Sequence, residues 1–160
     1  MLLTVERDKL DDAICKIAII RDITENRYKD SLLETVSNVS GILLEPDISL
    51  FENNLSIAMG MMAKAVNVGR VHIWRNHSIN ENLYCTQAYE WSDGTVRRQN
   101  SEHTVNISYN DFLIGFEERL SSGYCINGTA ESVSPKIKTY LDTQGILSFI
   151  LVPIIIHDHF

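Results

Sequence analysis

The chain has 160 residues, with 14 Lys or Arg against 21 Asp or Glu for a formal charge of −7, and it is 44% hydrophobic and 22% charged. That balance suits one domain plus an appendage with a core of its own, and it excludes wholesale disorder. An acidic chain without a block of Lys or Arg also lacks the electrostatic footprint of a nucleic-acid binder, which Arg97-Arg98 alone does not supply.

Met1-Leu2-Leu3 runs straight into Glu6, Arg7 and Asp8, so no signal peptide is expected. Residues 13–23 hold Ile14, Ile17, Ile19, Ile20 and Ile23, a β-branched run of strand length. Thr24 is placed to cap a helix whose first turn holds Glu25, and Tyr28, Leu32, Val36, Val39 and Leu43 keep one apolar stripe along it. Glu45-Pro46-Asp47 breaks that helix. Ser49 and Glu52 have capping-box spacing for the next, which should bury Phe51, Leu55, Ala58, Met59, Met62, Ala65 and Val66 and stop at Gly69. A Met-rich stripe of this kind reads as core filling.

Residues 70–75 and 83–91 alternate or are rich in strand-favouring residues, and the polar stretch 76–82 between them reads as a loop joining antiparallel neighbours. Ser108 can cap a helix through Phe112, Phe116 and Leu120 to Gly123, and residues 124–126 make a short strand. Ser134-Pro135 starts a helix that stops near Gly145. The uniformly apolar residues 146–156 predict a strand covered on both faces, with Pro153 at an edge or bulge. This order predicts an α+β fold: an antiparallel sheet with the paired leading helices on one face and the later segments crossing the other.

Cys15, Cys85 and Cys125 are too few and too scattered for a disulfide framework or a zinc site, and read as small buried hydrophobes of a cytoplasmic protein. The apolar run 146–156 falls well short of the roughly 20 residues a membrane helix needs, so no membrane insertion by these residues is expected.

Residues 19–34, "IIRDITENRYKDSLLE", resemble the last strand of a PAS domain with its Asp22-Ile23-Thr24 junction leading into a signalling helix. From about residue 30 onward the chain resembles a GAF domain of multidomain sensor proteins, on "LLEPDISLFENNLSIAMGMMAKAVNVGRVHIW", "AYEW", "LSSGYCING" and "ILSFILVPIII". The resemblance implies three parts: a C-terminal PAS remnant over 1–23, a signalling helix over 24–44, and a GAF domain over 45–160 whose last strand is missing. It further implies a parent sensor histidine kinase, or else a diguanylate cyclase, with its output domain in the same chain and a homodimer formed through the N-terminal helix. Asp22, Ile23 and Thr24 would then be the signal relay. The missing strand leaves an apolar edge where a second chain is expected to pair.

No short catalytic signature is present, and His103 and His157 do not sit as a kinase phosphoacceptor should. Glu117-Glu118 reads as a solvated face. His157 and His159 around Asp158 could share a metal on an extended strand, but two imidazoles without a further clustered ligand read more simply as a polar turn. No cofactor is expected: Cys85-Thr86 and Cys125-Ile126 lack the Cys-His pair of bilin attachment, and the Asn-Lys-Phe-Asp-Glu signature of cyclic-nucleotide GAF domains is missing.

A small-molecule pocket is the remaining expectation. With Val71 and Ile73 turned toward the helices, His72 and Trp74 face the other side of the sheet, where Gln87, Tyr89 and Trp91 join them. The alternatives are that these aromatics close on the later helices and the chain is a ligand-free dimerisation module, or that it is a small thiol enzyme of the GAF fold.

Overall fold

A computed structural model describes residues 2–10, 13–94, 104–157 and 160. They form two compact units, residues 1–71 and 72–160. The fold class is α+β with antiparallel strands throughout, in agreement with the element order of the sequence.

In the first unit, β1 (Leu2–Leu10) and β2 (Ala13–Arg21) form an antiparallel hairpin, in register from Leu2 opposite Arg21 to Leu10 opposite Ala13. β1 was not foreseen from its charged sequence. α1 (Thr24–Leu43) follows within two residues. Ile23 occupies the cap position rather than Thr24, and the cap function falls to Asp22, whose Oδ1 accepts the Thr24 N–H at 2.9 Å. That bond holds the Asp22 carboxyl below its ordinary pKa. The α1 stripe is only partly covered: Val39 is buried, whereas Tyr28 is 52% and Val36 59% exposed.

A 3-10 turn (Ile48–Leu50) and α2 (Phe51–Ala65) come next. The Ser49/Glu52 box does not form: Asp47 caps the 3-10 turn, its Oδ1 taking both the Ser49 N–H at 2.9 Å and the Ser49 hydroxyl at 2.7 Å, and α2 begins after Leu50 with no side-chain cap. α2 packs on α1, and the Asn54 amide donates to the Ile42 carbonyl at 3.2 Å. The buried face is Leu55, Ala58, Met59, Gly60 and Ala63, while Phe51, Met62 and Val66 stay exposed. The period is as expected, but the face is narrower. The helix stops at Ala65, short of Gly69, and the left-handed residue past its cap is Asn67, at φ 54°, with the Val68 N–H reaching back to the Ala63 carbonyl at 2.9 Å.

The second unit begins within β3 (Arg70–Ile79), which pairs with β4 (Asn82–Ser92), and β4 pairs with β5 (Ile107–Ser108). The polar stretch expected as a loop is mostly strand. Only Asn80 and Glu81 turn the chain, both at positive φ (49° and 64°), the geometry that suits the right-handed twist of a tight hairpin. The helix expected from Ser108 is confined to α3 (Phe116–Ser121): Gly115, at φ 79°, interrupts the chain just before it. Ser108 and Asp111 instead bond one another in a turn, hydroxyl to carboxylate at 3.0 Å.

β6 (Ile126–Thr129) and β7 (Ser148–Leu151) form a second antiparallel sheet of this unit, linked by a 3-10 turn (Ala130–Ser132) and α4 (Pro135–Gln144). α4 starts and stops where Ser134-Pro135 and Gly145 indicated, with Gly145 left-handed at φ 66°. The run 146–156 differs from expectation. Only four of its residues form β7, and while Phe149 and Leu151 turn inward, Ile150, Val152 and Ile154 are more than three-fifths exposed (63%, 62% and 64%). The core of the unit gathers Cys85, Tyr109, Leu120 and Ile126, with Trp74, Phe116 and Phe149 against them, and extends to Ala130, Ile137 and Leu141 under α4.

Candidate functional site

A cavity of about 610 Å3 lies wholly within residues 72–160. Its walls are apolar, with Trp74, Ile107, Leu113, Phe116, Phe149 and Leu151 among them, and its polar groups are few: His72, Arg75, Asn76 and the tyrosines Tyr89, Tyr109 and Tyr140. Volume and lining fall in the range of small-ligand sites.

β3 and β4 position the polar side chains. The His72 Nε2 stands 3.7 Å from Glu90 Oε1, with both side chains largely withdrawn from water, and the Gln87 amide donates to Glu90 Oε2 at 3.2 Å. The His72 and Trp74 rings are neighbours, 6.3 Å apart and tilted by 58°. On the other side the Tyr109 hydroxyl donates to Asn76 Oδ1 at 3.1 Å, and the Phe160 ring meets Tyr109 edge-on at 6.1 Å.

Cys85 lies beside Tyr109 in this wall, only 4% exposed. Burial pushes its thiol up from 9.0 to about 11, with the Tyr109 hydrogen bond only partly opposing. Burial likewise raises Tyr109, with Cys85 adding to it. A buried thiol held in its neutral form is a poor nucleophile at neutral pH, which counts against Cys85 as the reactive group of the thiol-enzyme alternative, while Cys125 is exposed.

Of the residues singled out in the sequence, His72, Trp74 and Tyr89 line the cavity. Gln87 is 3% exposed and does not: its backbone N–H bonds the Thr104 carbonyl at 2.8 Å and its amide is turned to Glu90. Trp91 is half-buried outside the lining. Arg75, Asn76 and Tyr109 were missed, Tyr109 because "SYND" reads as a helix start. Asp22, Ile23 and Thr24 stand at the β2 to α1 junction in the first unit. Of the possible metal pair, His157 is in a left-handed turn at φ 51°, while Asp158 and His159 lie outside the described residues, as does His103.

Comparison with known proteins finds similarity to a signalling enzyme. The chain is 29% identical over 154 residues to the methanogenesis regulatory histidine kinase FilI of Methanothrix harundinacea (strain 6Ac). The match takes in 91% of this chain but spans only 17% of the length of that relative. It supports a sensor-kinase context and a regulatory role in signal transduction. No family model matches the chain, and no solved structure matches it. Among the described residues, no helix is long and apolar enough to cross a membrane.

Proposed function

We propose that these residues form a GAF-like sensory module, preceded by a PAS-type strand and junction, that receives a ligand and relays its state to an output domain in the same polypeptide, a histidine kinase. The observation that carries the reading is the cavity: apolar and aromatic walls, a few convergent polar groups at His72, Asn76 and Tyr109, and a thiol that burial keeps protonated. Such a site binds without reacting. Ligand binding favours one arrangement of the unit over another, and the change passes along the chain as a shift in populations. The β2 to α1 junction at Asp22-Ile23-Thr24 serves as the relay from a preceding module.

A screen of metabolites by thermal shift tests this reading. A binder should raise the melting temperature of the chain, and Trp74→Ala should weaken that binding more than it lowers the melting temperature without ligand. Unchanged affinity with a lowered melting temperature would assign Trp74 to the core and sink the site.

A second reading has its own support. Tyr28 and Val36 are exposed on the stripe that includes buried Val39, and an apolar helix face of that kind favours a cytoplasmic homodimer joined through α1. Sedimentation of the chain against Val36→Lys tests it: the dimer should dissociate in the variant.

A further inference from the structure

β3 and β4 bury an acid beside a base. The Glu90 side chain is 4% exposed and that of His72 15%, and His72 Nε2 stands 3.7 Å from Glu90 Oε1. The other carboxyl oxygen accepts from the Gln87 amide at 3.2 Å. A regular ladder counted from the two-residue turn at Asn80-Glu81 would set Glu90 opposite Val71 and turn it to the face that Val71 takes. Its carboxyl instead meets His72 and Gln87, so β4 departs from alternation at the place where it brings an acid to an imidazole.

Burial decides how such a pair holds its protons. With one proton between them the two groups are net neutral; with two protons or none they carry a net charge away from water. Desolvation and mutual attraction therefore act together to keep one proton on the pair, and the imidazole, the more basic of the two, takes it. The other polar groups around His72 do not reverse this. Among the described residues they are Arg75 on β3, Cys85 and Tyr89 on β4, Tyr109 beyond β5 and Tyr140 on α4, all of which line the cavity that His72 faces. Arg75 repels a second cation, but it is exposed and screened by water, whereas Glu90 is not. Burial raises both Cys85 and Tyr109, which therefore keep their protons at neutral pH.

From this geometry we propose that His72 and Glu90 form a proton-operated latch between β3 and β4, closed while His72 is protonated and released when it is not, so that the unit takes pH as an input of its own. The device stands whether or not the cavity receives a ligand. Its sign follows from the chemistry. Below the ordinary histidine value of about 6.5 the latch stabilises the fold in full, and that stabilisation is lost as the pH rises through the higher value that Glu90 imposes on His72 in the folded chain.

Heteronuclear NMR of the full 160-residue chain, with the His72 ring assigned through its bonds, tests this directly. His72 is expected to titrate above about 6.5, and Glu90→Gln should bring it to that value or below. Urea midpoints at about pH 6 and about pH 8 read the linked stability: the wild type should lose stability over that interval, and Glu90→Gln and His72→Gln should each flatten the loss. The interval is clear of Cys85, whose own loss begins above pH 9. Over the same interval the amides of Tyr89, Glu90 and Trp91 should lose protection from hydrogen exchange relative to those of β6 and β7. If a variant does not fold, the wild-type titration and exchange still decide. A His72 that titrates at or below about 6.5 in the folded wild type overturns the proposal. So does a His72 titration that Glu90→Gln leaves unmoved, which assigns the proton to another partner, and so does a stability loss that neither variant alters.

Discussion

Gly128 on β6 stands directly opposite Phe149 on β7, and the phenyl ring occupies the space a side chain at 128 would need. A Cβ there would lie 3.3 Å from Phe149 Cζ and 2.7 Å from Ser132 Oγ. The Ser132 hydroxyl cannot easily give way, since it accepts the Thr129 N–H at 2.9 Å and donates to the Thr129 carbonyl at 2.8 Å. Gly128→Ala should therefore destabilise the chain by about 1–3 kcal/mol, through overpacking or loss of the turn. Urea unfolding measures it, and an unchanged midpoint would refute the close fit.

Cys85 predicts a loss of stability in alkali. Its folded pKa of about 11 lies above the ordinary 9.0, so the folded protein holds the thiol proton more tightly than the unfolded chain does. The resulting stabilisation is complete below pH 9 and is lost as the pH rises toward 11. Tyr109 adds a loss of the same sign, starting from its higher ordinary value of 10.0. Cys85→Ala should flatten the first part of the decline, read from urea midpoints at about pH 8 and about pH 10.

Asp22 predicts a local effect at the start of α1. Asp22→Ala removes the acceptor of the Thr24 N–H and should speed hydrogen exchange of that amide and its neighbours, leaving the α2 amides unchanged. Because the carboxyl is held below its ordinary pKa, its contribution is present above that value and lost as the pH falls through the lowered one. Acid should thus reproduce the substitution in the wild type and add little in the variant.

Met59 and Met62 separate core from surface on one helix. Met59 is 1% exposed, and Met59→Ala should cost about 2–5 kcal/mol from lost contacts and the cavity left behind. Met62 is 37% exposed, and its replacement by Ala should stay within about 1 kcal/mol. Comparable losses at both positions would contradict the observed face of α2.

Local signals were legible where they act on the backbone alone. Ser134-Pro135 and Gly145 bracket α4 because Pro tolerates the first helical turn and Gly tolerates the left-handed stop. Asn80, Glu81 and Asn67 were not read: Asn favours the left-handed region only as a tendency and Glu is uncommon there, so neither marks a stop or a turn as plainly as Gly does. At the site, strand alternation grouped His72 with Trp74 and Tyr89. It could not detect that Gln87 is turned to Glu90 three residues along the same strand, against simple alternation, or that Tyr109 arrives from beyond β5, which depends on a contact between distant segments.

The Asn80-Glu81 turn also bears on the order in which the chain assembles. Two residues close the β3-β4 loop, so that hairpin gives up little chain entropy and is expected to form early. β6 and β7 are separated by a 3-10 turn and the whole of α4, and meet later. During synthesis the hairpin therefore stands with its Trp74 and Cys85 side chains uncovered for as long as β7 and its Phe149, which pack against them in the finished core, have yet to leave the ribosome.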